Sequence, residues 1–76
     1  MALTFYKYQG TGNDFVMVDN RKHTFPTDDE ALVKQLCDRR TGVGADGLIL
    51  IEHSSSASFR MRYYNADGSL GEFCGN

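Results

Sequence analysis

The run Leu48-Ile49-Leu50-Ile51-Glu52 is an uninterrupted apolar stretch of four residues, a length no other stretch of the chain exceeds, closed by a carboxylate. Four apolar residues are too few for a helix, and the β-branched isoleucines favour a pleated backbone, so the run predicts a buried strand. What flanks it decides the fold. Upstream, Gly42-Val-Gly-Ala-Asp-Gly47 separates it from a pattern in which Leu32, Val33, Leu36 and Cys37 recur at helical spacing on one face. Thr27, with Glu30 three residues later, predicts a capping box that opens this helix. Arg39 and Arg40 suit its negative end, and Gly42 predicts a left-handed stop. The helix is expected over Asp28 to Arg40. Downstream, Ser54 to Ser58 turns the chain into Phe59-Arg-Met-Arg-Tyr63, a half-buried strand with Phe59, Met61 and Tyr63 on one face and Arg60 and Arg62 on the other.

Further out, Leu3 to Gln9 and Phe15 to Asp19 are two more runs of aromatic and β-branched strand formers, joined by a glycine turn. From Asn65 to Asn76 turn residues prevail and no element is expected. The sum is one α+β domain, a mixed or antiparallel sheet of four or five strands with one main helix. At 76 residues and 41% hydrophobic content there is material for one small core and not for two. A domain this small buries only ~60% of its extended-chain surface, and exposed strand edges with an uncovered apolar face favour self-association.

Eight basic against ten acidic side chains leave a net charge of −2, which offers no footprint for nucleic acid or an anionic membrane. The longest apolar stretch falls far short of the ~20 residues that span a bilayer. Met1-Ala-Leu-Thr-Phe5 lacks the basic start of a secretion signal, so the chain is expected to be soluble and cytoplasmic. Two cysteines are too few for a disulfide scaffold and read as free thiols.

All eight glycines fall into three clusters, each beside a predicted strand: Gly10 and Gly12; Gly42, Gly44 and Gly47; Gly68, Gly71 and Gly75. Three such loops at one end of a sheet would present amide N–H groups to a small polar ligand, although ordinary turns use glycine in the same way. Gly42 to Gly47 fits Gly-x-Gly-x-x-Gly, yet a dinucleotide site needs that pattern after a strand and before a helix, and here the order is reversed. Aligning Gly68 with the sixth position of a calcium loop puts Tyr63 and Cys74 where carboxylates are required, and the cysteines and histidines form no close pair of zinc ligands. No metal is expected. Cys37 lies on the apolar stripe of the helix and reads as a small core hydrophobe. Cys74 stands outside any periodic pattern with a helix start expected after it, where a thiolate is stabilised by the helix dipole; it is the candidate base or nucleophile.

Asn65-Ala-Asp-Gly-Ser69, then four residues, then Cys74-Gly-Asn76 is similar to the active-site signature of the diaminopimelate epimerases. Gly10-Thr-Gly-Asn-Asp-Phe15 resembles that family's N-terminal substrate loop, and Gly42-Val-Gly-Ala-Asp46 its helix-to-strand turn, at the place between them. The resemblance covers Phe5 to the end. It implies a cofactor-independent racemase fold of two similar α/β halves, each a mixed sheet curled round a central helix, with substrate in the cleft between them. It also implies inversion at one α-carbon of diaminopimelate, in the supply of lysine and peptidoglycan, by two cysteines that exchange roles with reaction direction.

Cys74 matches the first of these cysteines. The amides of Gly75 and Asn76 match those that hold the substrate's α-carboxylate, and Asn13 and Asn65 match side chains that bind its distal groups, while both asparagines also suit local turn bonding. Gly47 stands where many bacterial members carry Gln. The motif's continuation, the central helix and the second half with its cysteine are absent, so residues 1–76 are expected to be the truncated N-terminal part of such an enzyme, inactive alone. The alternative is a stand-alone module that binds a small amino acid without chemistry.

Overall fold

The run at 48–51 lies in the middle strand of one five-stranded sheet. The computed structural model describes residues 4–10, 12–53 and 59–75, the last four of these by their backbone. In chain order the elements are β1 (Phe5–Gly10), β2 (Asn13–Asp19), α1 (Glu30–Cys37), β3 (Gly47–Glu52), β4 (Arg60–Asn65) and β5 (Leu70–Gly75). The strands also lie in this order across the sheet. Neighbours are antiparallel except β2 and β3, whose parallel pairing requires the crossover that α1 supplies. The architecture is α+β, as the sequence predicts.

Register sorts the side chains into two faces. Val16 pairs with Leu48, Val18 with Leu50, and Leu48 with Tyr64, so all five share the face that α1 covers with Val33 and Cys37. Phe25 and Ala45 close the rim of this core, in which Val16, Val33, Leu48 and Leu50 are fully buried. Each such aliphatic side chain contributes about 1.5–3 kcal/mol of burial. The other face carries Phe15, Met17, Ile49, Ile51, Met61 and Tyr63, all half-buried, and on the edge strand Tyr6 and Tyr8, more than half exposed.

Four local expectations are corrected. The stretch after Asn65 is not all turn: it folds back as β5, because the turn at Asn65–Ser69 is tight enough to make a hairpin, with Asn65 N donating to Ser69 O at 2.8 Å and Gly68 N to Asn65 O at 2.9 Å. Cys74 and Gly75 accordingly stand in a strand. The helix is shorter than Asp28 to Arg40. Its cap is Asp29, whose carboxylate accepts from Leu32 N at 2.9 Å, because a turn closed by Asp29 N on Pro26 O takes up the residues before it; the carbonyl of Thr27 instead accepts from the Tyr64 hydroxyl at 2.9 Å. At the other end Asp38 turns the chain by accepting from the amides of Arg40 and Thr41.

Gly42 is not left-handed. It is needed for space, since a Cβ there would overlap the Gln35 carbonyl, and it is Gly44 that takes φ +85°. Val43 N and Gly44 N then satisfy Leu36 O, and Ala45 N satisfies Cys37 O. Lastly, the arginines of β4 alternate with its apolar residues as expected, but their face is the one α1 shares, where they meet the buried Glu52 at 3.6 Å from Arg60 Nε and 3.5 Å from Arg62 Nε.

Candidate functional site

Three chain segments meet at one end of the sheet. Phe15 pairs with Gly47, and Gly47 with Asn65, so these residues form a row across β2, β3 and β4 on the open face. Asn13, two residues before Phe15, extends the same face beyond the row. Asn13 is exposed and lines, with Gln9, Gly10 and Gly12, a cavity of about 250 Å³. That is the size of a subsite for part of a small molecule.

The row is held from behind by charge. Asp14 points to the covered side, where the Arg39 guanidinium grips its carboxylate at 2.9 and 3.2 Å and Lys7 Nζ stands 3.2 Å away. Lys7 also donates to Gly44 O at 2.6 Å. Asp14 and Asp46 are tied reciprocally: Asp14 N donates to Asp46 Oδ2 at 3.0 Å, and Asp46 N donates to Asp14 O at 2.9 Å. The strand starts beside Asn13 and Gly47 are thereby locked together, with Arg39 reaching Asp46 as well at 3.2 Å. The Arg39 hydrogen bonds above all, against burial and with help from Lys7 and the Asp46 amide, hold the Asp14 carboxyl well below the usual carboxylate range.

Asn65 opens the hairpin turn and its amide donates to Ser69 Oγ at 3.0 Å, while Asp67 accepts from the Ser69 hydroxyl and amide. These bonds to Ser69 hold the Asp67 carboxyl low. Cys74 pairs with Met61 and Gly75 with Arg60, so Cys74 lies four residues along β4 from Asn65, about 13 Å at the rise of a strand. The structure thus gathers Asn13 and Asn65 at one end of the open face and sets Cys74 and Gly75 toward the other. Asn76 lies outside the described residues. Cys37 is in the core, where burial pushes its thiol up. Among the described residues no group of three or more His, Cys, Asp and Glu side chains is placed to hold a metal ion.

Residues 5–76 match the sequence pattern of the family described as diaminopimelate epimerase. The chain belongs to the diaminopimelate epimerase family. It is similar to the diaminopimelate epimerase of Flavobacterium psychrophilum, with 58% identity over 97% of this chain and 29% of that protein. It is also 57% identical to the diaminopimelate epimerase of Chlorobaculum tepidum over 88% of this chain and 26% of that protein, and 50% identical to that of Erythrobacter litoralis over the whole chain and 28% of that protein. The chain therefore spans between a quarter and a third of the length of these relatives. The epimerase match takes in the Asn13 loop, the Gly47 turn and the Asn65 hairpin alike. The Lys7, Asp14, Arg39 and Asp46 brace, which sequence reasoning missed, lies within it too. Its only signal was a carboxylate inside each of two glycine loops, and their pairing spans 32 residues, which only the register reveals.

Proposed function

We propose that this chain is the N-terminal part of a diaminopimelate epimerase that interconverts the L,L and meso forms of its substrate by proton transfer at one α-carbon, in the supply of lysine and peptidoglycan. The observation that carries the reading is the family match over residues 5–76, joined to the row that brings Asn13 and Asn65 to one end of the open face. Diaminopimelate has an amino-acid group at each end, so its site needs two sets of polar groups held apart. Asn13 and Asn65 serve the distal group. Cys74, with the amides of Gly75 and Asn76, serves the reacting one.

In this reading the Cys74 sulfur lies on one face of the α-carbon and a second thiol, from the remaining length of the protein, on the other. One thiolate takes the proton as the C–H bond breaks; the opposite thiol returns a proton to the other face, and the stereocentre inverts. The amides after Cys74 offset the charge that builds on the α-carboxylate, so no external electron sink is invoked. A single sulfur serves one face only, and the 76-residue chain by itself should not epimerise. The compartment in this proposal is the cytoplasm; no helix among the described residues is long and apolar enough to cross a membrane.

The test is Cys74→Ala in the full-length protein that carries this chain. Epimerisation should fall by at least about a thousandfold, in line with loss of a group that acts directly on the reacting atoms. Retention of wild-type turnover by that variant would overturn the role of Cys74. Binding of diaminopimelate by the 76-residue chain alone would favour the stand-alone module instead.

A further inference from the structure

Tyr63 and Tyr64 are consecutive and face opposite ways, and the contrast between them is informative. Tyr64 is buried on the covered face and its hydroxyl donates to Thr27 O at 2.9 Å. Tyr63 is half-buried on the open face, and no described residue makes a hydrogen bond to its hydroxyl. Its ring is nevertheless fixed in place. Phe15 packs edge-on against it, with centroids 5.6 Å apart and planes at 70°.

Two glycines make the slot that the ring fills. A Cβ on Gly71 would overlap Tyr63 Cδ2, and a Cβ on Gly47 would stand 2.9 Å from the Tyr63 hydroxyl oxygen. Gly71 falls where the register between β4 and β5 slips, between the pairs Arg62 with Phe73 and Tyr64 with Leu70. Such a bulge re-aims the side chain opposite it. Here it leans Tyr63 along the sheet, so that the hydroxyl arrives over Gly47, in the row that contains Asn65. Filling the slot and packing on Phe15 require only the ring, and phenylalanine would do both.

We propose that the Tyr63 hydroxyl is a substrate-contacting group that sets specificity, donating a hydrogen bond to a carboxylate oxygen of the distal amino-acid group beside Asn65. This rests on the epimerase reading given above. A phenol suits the task because it is neutral and a good donor, and because its ring, wedged between Gly47 and Gly71, loses little freedom when the ligand arrives.

The experiment is steady-state kinetics on the full-length protein carrying this chain, comparing the unsubstituted enzyme with Tyr63→Phe, Gly71→Ala and the double variant. Tyr63→Phe should raise the KM for diaminopimelate about tenfold or more, the loss of a hydrogen bond to a charged group, with kcat unchanged within about twofold. Its thermal midpoint should match the parent's, because only one oxygen is removed. Gly71→Ala should also raise KM by pushing the ring aside, and should add nothing further in the Tyr63→Phe background. If Tyr63→Phe leaves KM unchanged while the unsubstituted enzyme turns over diaminopimelate, the inference falls and the epimerase reading stands. If the unsubstituted enzyme does not act on diaminopimelate, both fall.

Discussion

The two faces of this sheet are built from alternate residues of the same strands, yet they do different work. In β3, Leu48 and Leu50 are fully buried under α1, while Ile49 and Ile51, equally apolar, remain half-buried on the open side. The covered face holds the aliphatic core and, at its two ends, the charged clusters around Asp14 and Glu52. The open face holds aromatic rings and, at one end, the row of Phe15, Gly47 and Asn65 with Asn13 beyond. A face already sealed by a helix can be packed for stability alone, whereas the uncovered one can present polar groups to a ligand. The two clusters differ in the same sense. Asp14 is gripped at hydrogen-bond distance and locks the strand starts behind the row; Glu52 meets its arginines at 3.5 Å or more and is bonded closely by Asn20 at 2.8 Å.

The sharpest way to break this comparison is to truncate neighbours on opposite faces. Leu50→Ala should cost about 3–5 kcal/mol of stability and Ile49→Ala about 1–2 kcal/mol, read by equilibrium unfolding in urea. Equal losses would show that the open face is covered in solution. Next in size is Glu52→Ala. It leaves the amide of Asn20, which is buried while its Oδ1 accepts from Phe25 N, without its acceptor, and should cost about 1–3 kcal/mol.

The braced end can be probed by pH. Asp14 titrates lower folded than unfolded, so its stabilising contribution is complete above the unfolded carboxylate value near ~4 and is lost as pH falls toward the folded one. Asp19, held at about 2 by Arg21, loses its contribution in the same direction, but that pair is exposed and counts for less. Unfolding measured from pH 6 down to pH 2 should show stability falling with acid, and Asp14→Asn should make that slope shallower by more than Asp19→Asn does. A slope unchanged by the Asp14 substitution would mean that the brace does not hold in solution. The smallest effect tests the covering helix: Asp29→Ala should lower stability by about 1 kcal/mol, while Thr27→Ala, whose side chain is not the cap, should cost less.

Much of this was legible in the chain. The helical stripe of Leu32, Val33, Leu36 and Cys37 and the alternation from Phe59 to Tyr63 each reported an element through a period that belongs to the backbone itself, and the apolar run at 48–51 did so through its short length and β-branching. The spacing from Asn65 to Cys74 and the Asn13 loop pointed to the family. The missed strand β5 shows the limit: Leu70–Gly75 has two glycines and weak alternation, and it is extended because β4 offers it a partner. The helix cap was misplaced for a related reason, since Thr27 and Asp29 are both good caps locally and the Tyr64 hydroxyl, 37 residues away, engages the Thr27 carbonyl.

Local periodicity and side-chain chemistry by themselves determined the kinds and order of the elements as far as β4, because those depend on neighbours in sequence, and the motifs around Asn13, Gly42 and Asn65 resembled those of this chain's kin. Only the tertiary structure decided which face α1 covers, that Asp14 and Asp46 lock two strand starts together, and that Tyr63 leans over Gly47. Each of these depends on register between strands, and a shift of one residue would send every side chain to the opposite face.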